Sequence, residues 1–171
     1  ADTSLIESYN LFNRAISSNR ISGNNSAEYY FQQMSKRFPG TPYTLDAKSS
    51  LAVEFISAAQ KKVDRFLACG DNLSAKEKQE NYQAAIKLQQ AIELVREDDP
   101  LYAQSLMNRV YFLKASGDFG PNGTNGNTSD AFSNAFAALR IDRNGAYIHA
   151  RLAQLHLQNN NLDSAYYYAD K

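Results

Sequence analysis

The stretch Ala131-Phe132-Ser133-Asn134-Ala135-Phe136-Ala137-Ala138-Leu139-Arg140-Ile141 sets small residues at helical spacing, and Ala165, in Leu162-Asp163-Ser164-Ala165, follows Ala131 by 34 positions. Between them stand Leu152-Ala153 and the turn Asn159-Asn160-Asn161. A period of about 34 residues is the length of a helix-turn-helix unit that buries its apolar face only by stacking on copies of itself. Stacked helical pairs build a groove rather than a reaction centre. The stretch therefore reads as part of a binding scaffold.

Composition sets the outer bounds. A chain of 171 residues with 43% hydrophobic content is long enough for a continuous core and is not disordered in bulk. Its 18 basic and 18 acidic residues cancel, which gives no electrostatic reason to expect nucleic acid. No apolar run approaches the roughly 20 residues of a membrane span. The start Ala1-Asp2-Thr3-Ser4 carries no signal-peptide pattern and reads as a processed or trimmed end. Cys69 is the only cysteine, so no internal disulfide forms. Plentiful Asn, Ser and Tyr with no Trp favour a periplasmic or envelope protein of a bacterium over a cytoplasmic one.

Apolar residues recur at three and four rather than two, which predicts helices throughout. The first runs from Ser4, read as its N-cap, to Asn19, with Leu5, Tyr9, Phe12 and Ile16 on one face. The second follows Ser26 and is stopped by Pro39-Gly40-Thr41-Pro42. The third spans Thr44 to Cys69, striped by Leu51, Phe55, Ala59, Val63 and Phe66 and capped by Gly70. Ser74 with Glu77 three residues on has capping-box spacing and opens the fourth, which runs to about Glu97. Pro100 starts the fifth, which ends at Gly117. The run Gly120 to Ser129, dense in Gly and Asn, predicts a mobile surface loop. A sixth helix is expected from an N-cap at Ser129 or Asp130, a seventh over Gly145–Gln158 and an eighth from Leu162.

A second interval supports the frame. Gly70-Asp71 and Gly117-Asp118, Val63 and Val110, Ala84 and Ala131, Ala91 and Ala138, and Ile92 and Leu139 are all 47 apart, 13 more than the shorter period. The extra residues divide between the loop before Ala131 and longer helices upstream.

These small and large positions resemble the tetratricopeptide repeat. Unit one carries the pattern at Leu11, Ala15, Ala27, Phe31, Met34 and Pro39. Unit three carries it at Leu106, Val110, Gly117, Phe119, Ala131 and Ala138. Unit four carries it at His149, Leu152, Ala153, Leu162 and Ala165. Arg96 and Arg143 stand where the family often has Pro. Small residues let two helices approach closely where they cross. The resemblance implies an all-α fold, a right-handed α-solenoid of stacked antiparallel helix pairs forming one domain over 1–171. Its units fall at about 4–42, 43–99, 100–144 and 145–171, the last incomplete. It also implies a non-catalytic scaffold that takes a protein or peptide partner in a concave groove lined by the first helix of each pair. Carried over residue by residue, the groove is Gln104, Met107, Asn108, Tyr111 and Lys114, then Tyr147, Ala150, Arg151, Gln154 and Leu157. Asn108 and Arg151 fall where some members clamp a terminal carboxylate. The clamp's other positions hold Tyr147, Gln60 and Asp64 instead of its lysines and asparagine.

Other patterns carry no chemistry. Asp118-Phe119-Gly120 spells a kinase magnesium motif without any companion motif. The segment from Asn122 to Asp130 lacks the alternating acids of a calcium loop. His149 and His156 occupy packing positions with no third ligand beside them, and Cys69 lies on an apolar stripe. Tyr166-Tyr167-Tyr168 reads as packing with one ring turned outward. No catalytic set, metal site or cofactor motif is expected. Two alternatives stay open: a peptide- or glycan-binding regulatory domain of a larger envelope or signalling protein, and a self-assembling module. The second follows from the eighth helix, which lacks a capping helix and so leaves an edge for a homo-oligomer.

Overall fold

The computed structural model describes residues 2–69, 73–117 and 128–171. They form eight helices: α1 (Thr3–Ser17), α2 (Ala27–Arg37), α3 (Pro42–Cys69), α4 (Ala75–Val95), α5 (Pro100–Gly117), α6 (Thr128–Ile141), α7 (Ala146–Gln158) and α8 (Leu162–Ala169). No strand occurs among the described residues, and no helix is long and apolar enough to cross a membrane. The Gly70 cap, the Asp118-Phe119-Gly120 motif, most of the loop expected over Gly120–Ser129 and the setting of the Cys69 side chain lie outside the described residues. The chain divides into two compact units, Ala1–Phe55 and Ile56–Lys171, and the boundary falls within α3.

Helix ends follow local chemistry. Asp2, not Ser4, caps α1: its carboxylate accepts the Ser4 N–H at 2.8 Å. Ser26 Oγ accepts the Tyr29 N–H at 3.2 Å and starts α2. Ser74 and Glu77 close the expected capping box. Ser74 Oγ accepts the Glu77 N–H at 3.2 Å, and Glu77 accepts the Ser74 N–H at 2.9 Å. The Asn159-Asn160-Asn161 turn divides its labour. Asn160 takes a left-handed φ of 54°, which asparagine tolerates better than most residues, and Asn161 caps α8 by accepting the Ser164 N–H at 3.2 Å. α6 begins at Thr128, so Ser129 and Asp130 lie inside the helix rather than capping it.

In the first unit α1 and α2 pack as a hairpin around Phe12, Ala15, Ala27 and Met34, all with no exposed surface. Leu11 is 40% exposed, and Phe12 fills the interior place assigned to it. A helix turns by about 100° per residue, so the stripe through Leu5, Phe12 and Ala15 leaves Leu11 on its shoulder. Tyr9 Oη donates to Asp46 at 2.6 Å and tilts its ring against Tyr43 at 5.0 Å, holding α1 to the first turns of α3.

In the second unit each helix packs on the next from α4 to α8, and α5 also touches α7. Lys62–Glu80 and Arg65–Glu77 ion pairs join α3 to α4. Ala131, Ala135 and Ala138 give α6 a buried stripe, and α4 buries Ala85, Leu88, Ala91 and Ile92. Ala84, the residue 47 before Ala131, is only half-buried, because Ala85 lies in the stripe shared with Leu88 and Ile92. Ala153 is likewise half-buried, with Leu152 and Leu155 taking the interior of α7.

Two measurements check this packing. Ala131→Leu adds bulk at a fully buried site and is expected to lower the unfolding free energy by about 1–3 kcal/mol in urea titration, while Ala84→Leu costs markedly less. Ser74→Ala should lose about 1 kcal/mol through the missing cap. Hydrogen bonds from the Ser74 backbone and side chain, then from Arg65, hold the Glu77 carboxyl at about 2 instead of 4.5. A depressed folded value stabilises above the unfolded one. The Glu77 contribution is therefore complete above about pH 4.5 and lost as pH falls through about 2. Glu77→Gln is expected to flatten that part of the stability–pH profile.

Candidate functional site

The residues that the repeat frame places on the first helices α5 and α7 fall into two groups. The first group is interior. Asn108 is 6% exposed, and its Nδ2 donates to Tyr147 Oη at 2.8 Å and to Asp142 Oδ2 at 3.2 Å. Its Oδ1 is buried without a partner. Arg151 is 5% exposed; its Nε donates to the Ala115 carbonyl at 3.2 Å and its Nη1 to Gln154 Oε1 at 3.2 Å. Both side chains thus tie α7 to α5 or to its own next turn. A terminal-carboxylate clamp requires donors that face a ligand, and these donors face the chain itself. The clamp positions on α3 are less buried but also bonded within the chain. Gln60 donates to Asp64 at 2.8 Å and accepts from Arg109 Nε at 2.9 Å, which links α3 to α5.

Tyr147 stands at the centre of this contact. Its ring meets Phe112 edge-on at 4.9 Å, and Phe112 meets Phe66 edge-on at 5.0 Å. Burial first, then the field of Asp142, pushes its phenol up to about 12. Asp142 has no role in the sequence reading, yet it lies 34 residues after Asn108 and accepts its hydrogen bond. The repeat period itself was the signal for this pair. Asp142 is held by the Asn144 N–H at 3.2 Å, and Gly145 sits against it: a Cβ there would come within 2.9 Å of Asp142 Oδ2 and of Ile148 Cδ1.

The second group remains open. Gln104 is exposed, while Met107, Tyr111, Ala150 and Gln154 are half-buried and Leu157 is exposed. Gln104 and Tyr111 lie four and three residues from Asn108, so they flank the residue that touches α7, and Met107 directly precedes it. Lys114 belongs to this face, and partial burial lowers its affinity for a proton.

The two histidines pack within an aromatic group. His156 stacks on Tyr168 at 5.4 Å and meets Phe132 at 4.8 Å, and His149 stacks on Tyr168 at 6.0 Å. Tyr166 and Tyr167 both turn outward. Among the described residues no cluster of His, Cys, Asp or Glu is arranged to hold a metal ion. No family model, curated protein or solved structure matches the chain.

Tyr147→Phe tests the interior group. Removing the hydroxyl deprives Asn108 of its shorter hydrogen bond and is expected to cost about 1–2 kcal/mol in urea titration. The highest step of the alkaline ultraviolet titration should vanish with it. A phenol raised in the folded state stabilises fully below the ordinary value of 10.0 and loses that contribution as pH rises through about 12, so the variant's deficit narrows over that interval.

Proposed function

We propose that the chain is a tetratricopeptide-like helical repeat without catalytic activity, and that the α5–α7 face binds a peptide or a segment of a partner protein. In this reading the second unit stacks its hairpins with the right-handed sense of a solenoid. The observation that supports it is the direct packing of α5 on α7, two helices separated in sequence by α6. A hairpin stack sets first helix beside first helix in this way, and the face they share is where repeat proteins of this kind hold ligands.

Recognition falls on the open residues Gln104, Met107, Tyr111 and Gln154. Tyr147, Asn108 and Arg151 support that face from beneath. Tyr111 is the natural anchor: a half-buried ring has low conformational entropy to lose and a polar tip to satisfy.

A pool of randomised peptides displayed against the full chain tests this. Selected peptides are expected to bind at least about tenfold more weakly to a Tyr111→Ala/Gln154→Ala variant that keeps the parent's circular dichroism and melting temperature. Equal binding by parent and variant, or no selectable peptide, would count against the reading.

A further inference from the structure

A cavity of about 590 Å³ opens between α6, α7 and α8, on residues separate from the α5–α7 face. Its walls are Phe136, Leu139, Tyr167 and Tyr168. Arg140, Arg143 and Lys171, all exposed, also line it, and no aspartate or glutamate does among the described residues. Volume and apolar walls are those of a site for a small ligand or the end of a longer one.

The charges are available. The acid between the two arginines, Asp142, is turned to Asn108 and to the Asn144 N–H. Neither arginine is ion-paired among the described residues. The Lys171 ammonium lies 5.1 Å over the Tyr167 ring. The turn that carries Arg143 is anchored, because its carbonyl accepts a hydrogen bond from His149 Nε2 at 2.7 Å. That bond sets the tautomer: a carbonyl only accepts, so the proton is on Nε2. One wall is also held by ring contacts. Tyr168 is held by Phe136 at 6.3 Å and Tyr167 at 5.1 Å, as well as by both histidines.

Cations near the ends of α6 and α8 would be favourable for the helix dipoles alone. Dipole compensation needs no cavity and no ring-lined wall. Guanidinium groups match a carboxylate through planar, paired hydrogen bonds, and rings cover an apolar body.

We propose that this cavity binds a carboxylate joined to a compact apolar body, the chemistry of an aromatic acid or of a peptide ending in an aromatic residue. Arg140 and Arg143 grip the carboxylate, and Phe136, Tyr167 and Tyr168 cover the body. The site shares no residue with the α5–α7 face and does not depend on what that face does.

The test titrates the full chain with N-acetyl-phenylalanine and follows the ring resonances of His149 and Tyr168 by NMR. N-acetyl-phenylalaninamide supplies the body without the charge, and inorganic phosphate supplies the charge without the body. The acid is expected to bind saturably and about tenfold more tightly than either, the worth of about one charge-assisted hydrogen bond. Arg140→Gln/Arg143→Gln replaces exposed side chains, should leave the melting temperature unchanged, and should weaken the acid by a similar factor. A tripeptide acetyl-Gly-Gly-Phe that binds more tightly than the single residue identifies a peptide end, and equal or weaker binding identifies a small acid. Absence of saturable binding by the acid, equal binding of acid and amide, or full binding by the arginine variant overturns the proposal.

Discussion

The edge-on contact of Phe66, Phe112 and Tyr147 is the constraint on which the second unit's site depends. The rings of each pair stand nearly perpendicular, an arrangement worth about 0.5–1.5 kcal/mol per pair beyond the area buried. The three rings belong to α3, α5 and α7, so the contact sets those helices in register with one another. The Tyr147 hydroxyl accepts from Asn108 at 2.8 Å while its ring rests against Phe112.

This separates two kinds of polar residue on the same helices. A polar side chain inside the contact has left water and must find its partners in the chain, as Asn108 and Arg151 do. One step round the helix, Gln104 and Tyr111 keep contact with solvent. The interior set links α5 to α7, and the exterior set faces solvent.

Much of the architecture was readable from residues whose effects are local. Ser26, the Ser74–Glu77 pair, Pro100 and the three consecutive asparagines act within one helical turn, so their neighbours in sequence are their neighbours in space. Where burial depends on a second helix, the reading loosened. The 34- and 47-residue intervals find Ala131, Ala138 and Ala91, all buried, but choose Ala84 over Ala85, and the family pattern chooses Leu11 over Phe12, because a stripe shifted by one residue keeps nearly the same periodicity. Among the candidate site residues, a repeat frame gives direction and not depth. It places Asn108 and Gln104 on one helical face and cannot show that α7 covers only the first. Asp142 and the two arginines beside it escaped because their setting comes from three helices meeting at a turn.

The ring contact also gives the protein an optical property. With no tryptophan among its 171 residues, its near-ultraviolet signal comes from tyrosine and phenylalanine. Tyr147 sits half-buried, edge-on to another ring and hydrogen-bonded at its oxygen, a chiral and immobile setting of the kind that gives near-ultraviolet dichroism. The chain thus contains its own chromophore at the seam between α5 and α7. Any ligand that opened or tightened that seam would change the colour of the protein's ultraviolet spectrum without a label being added.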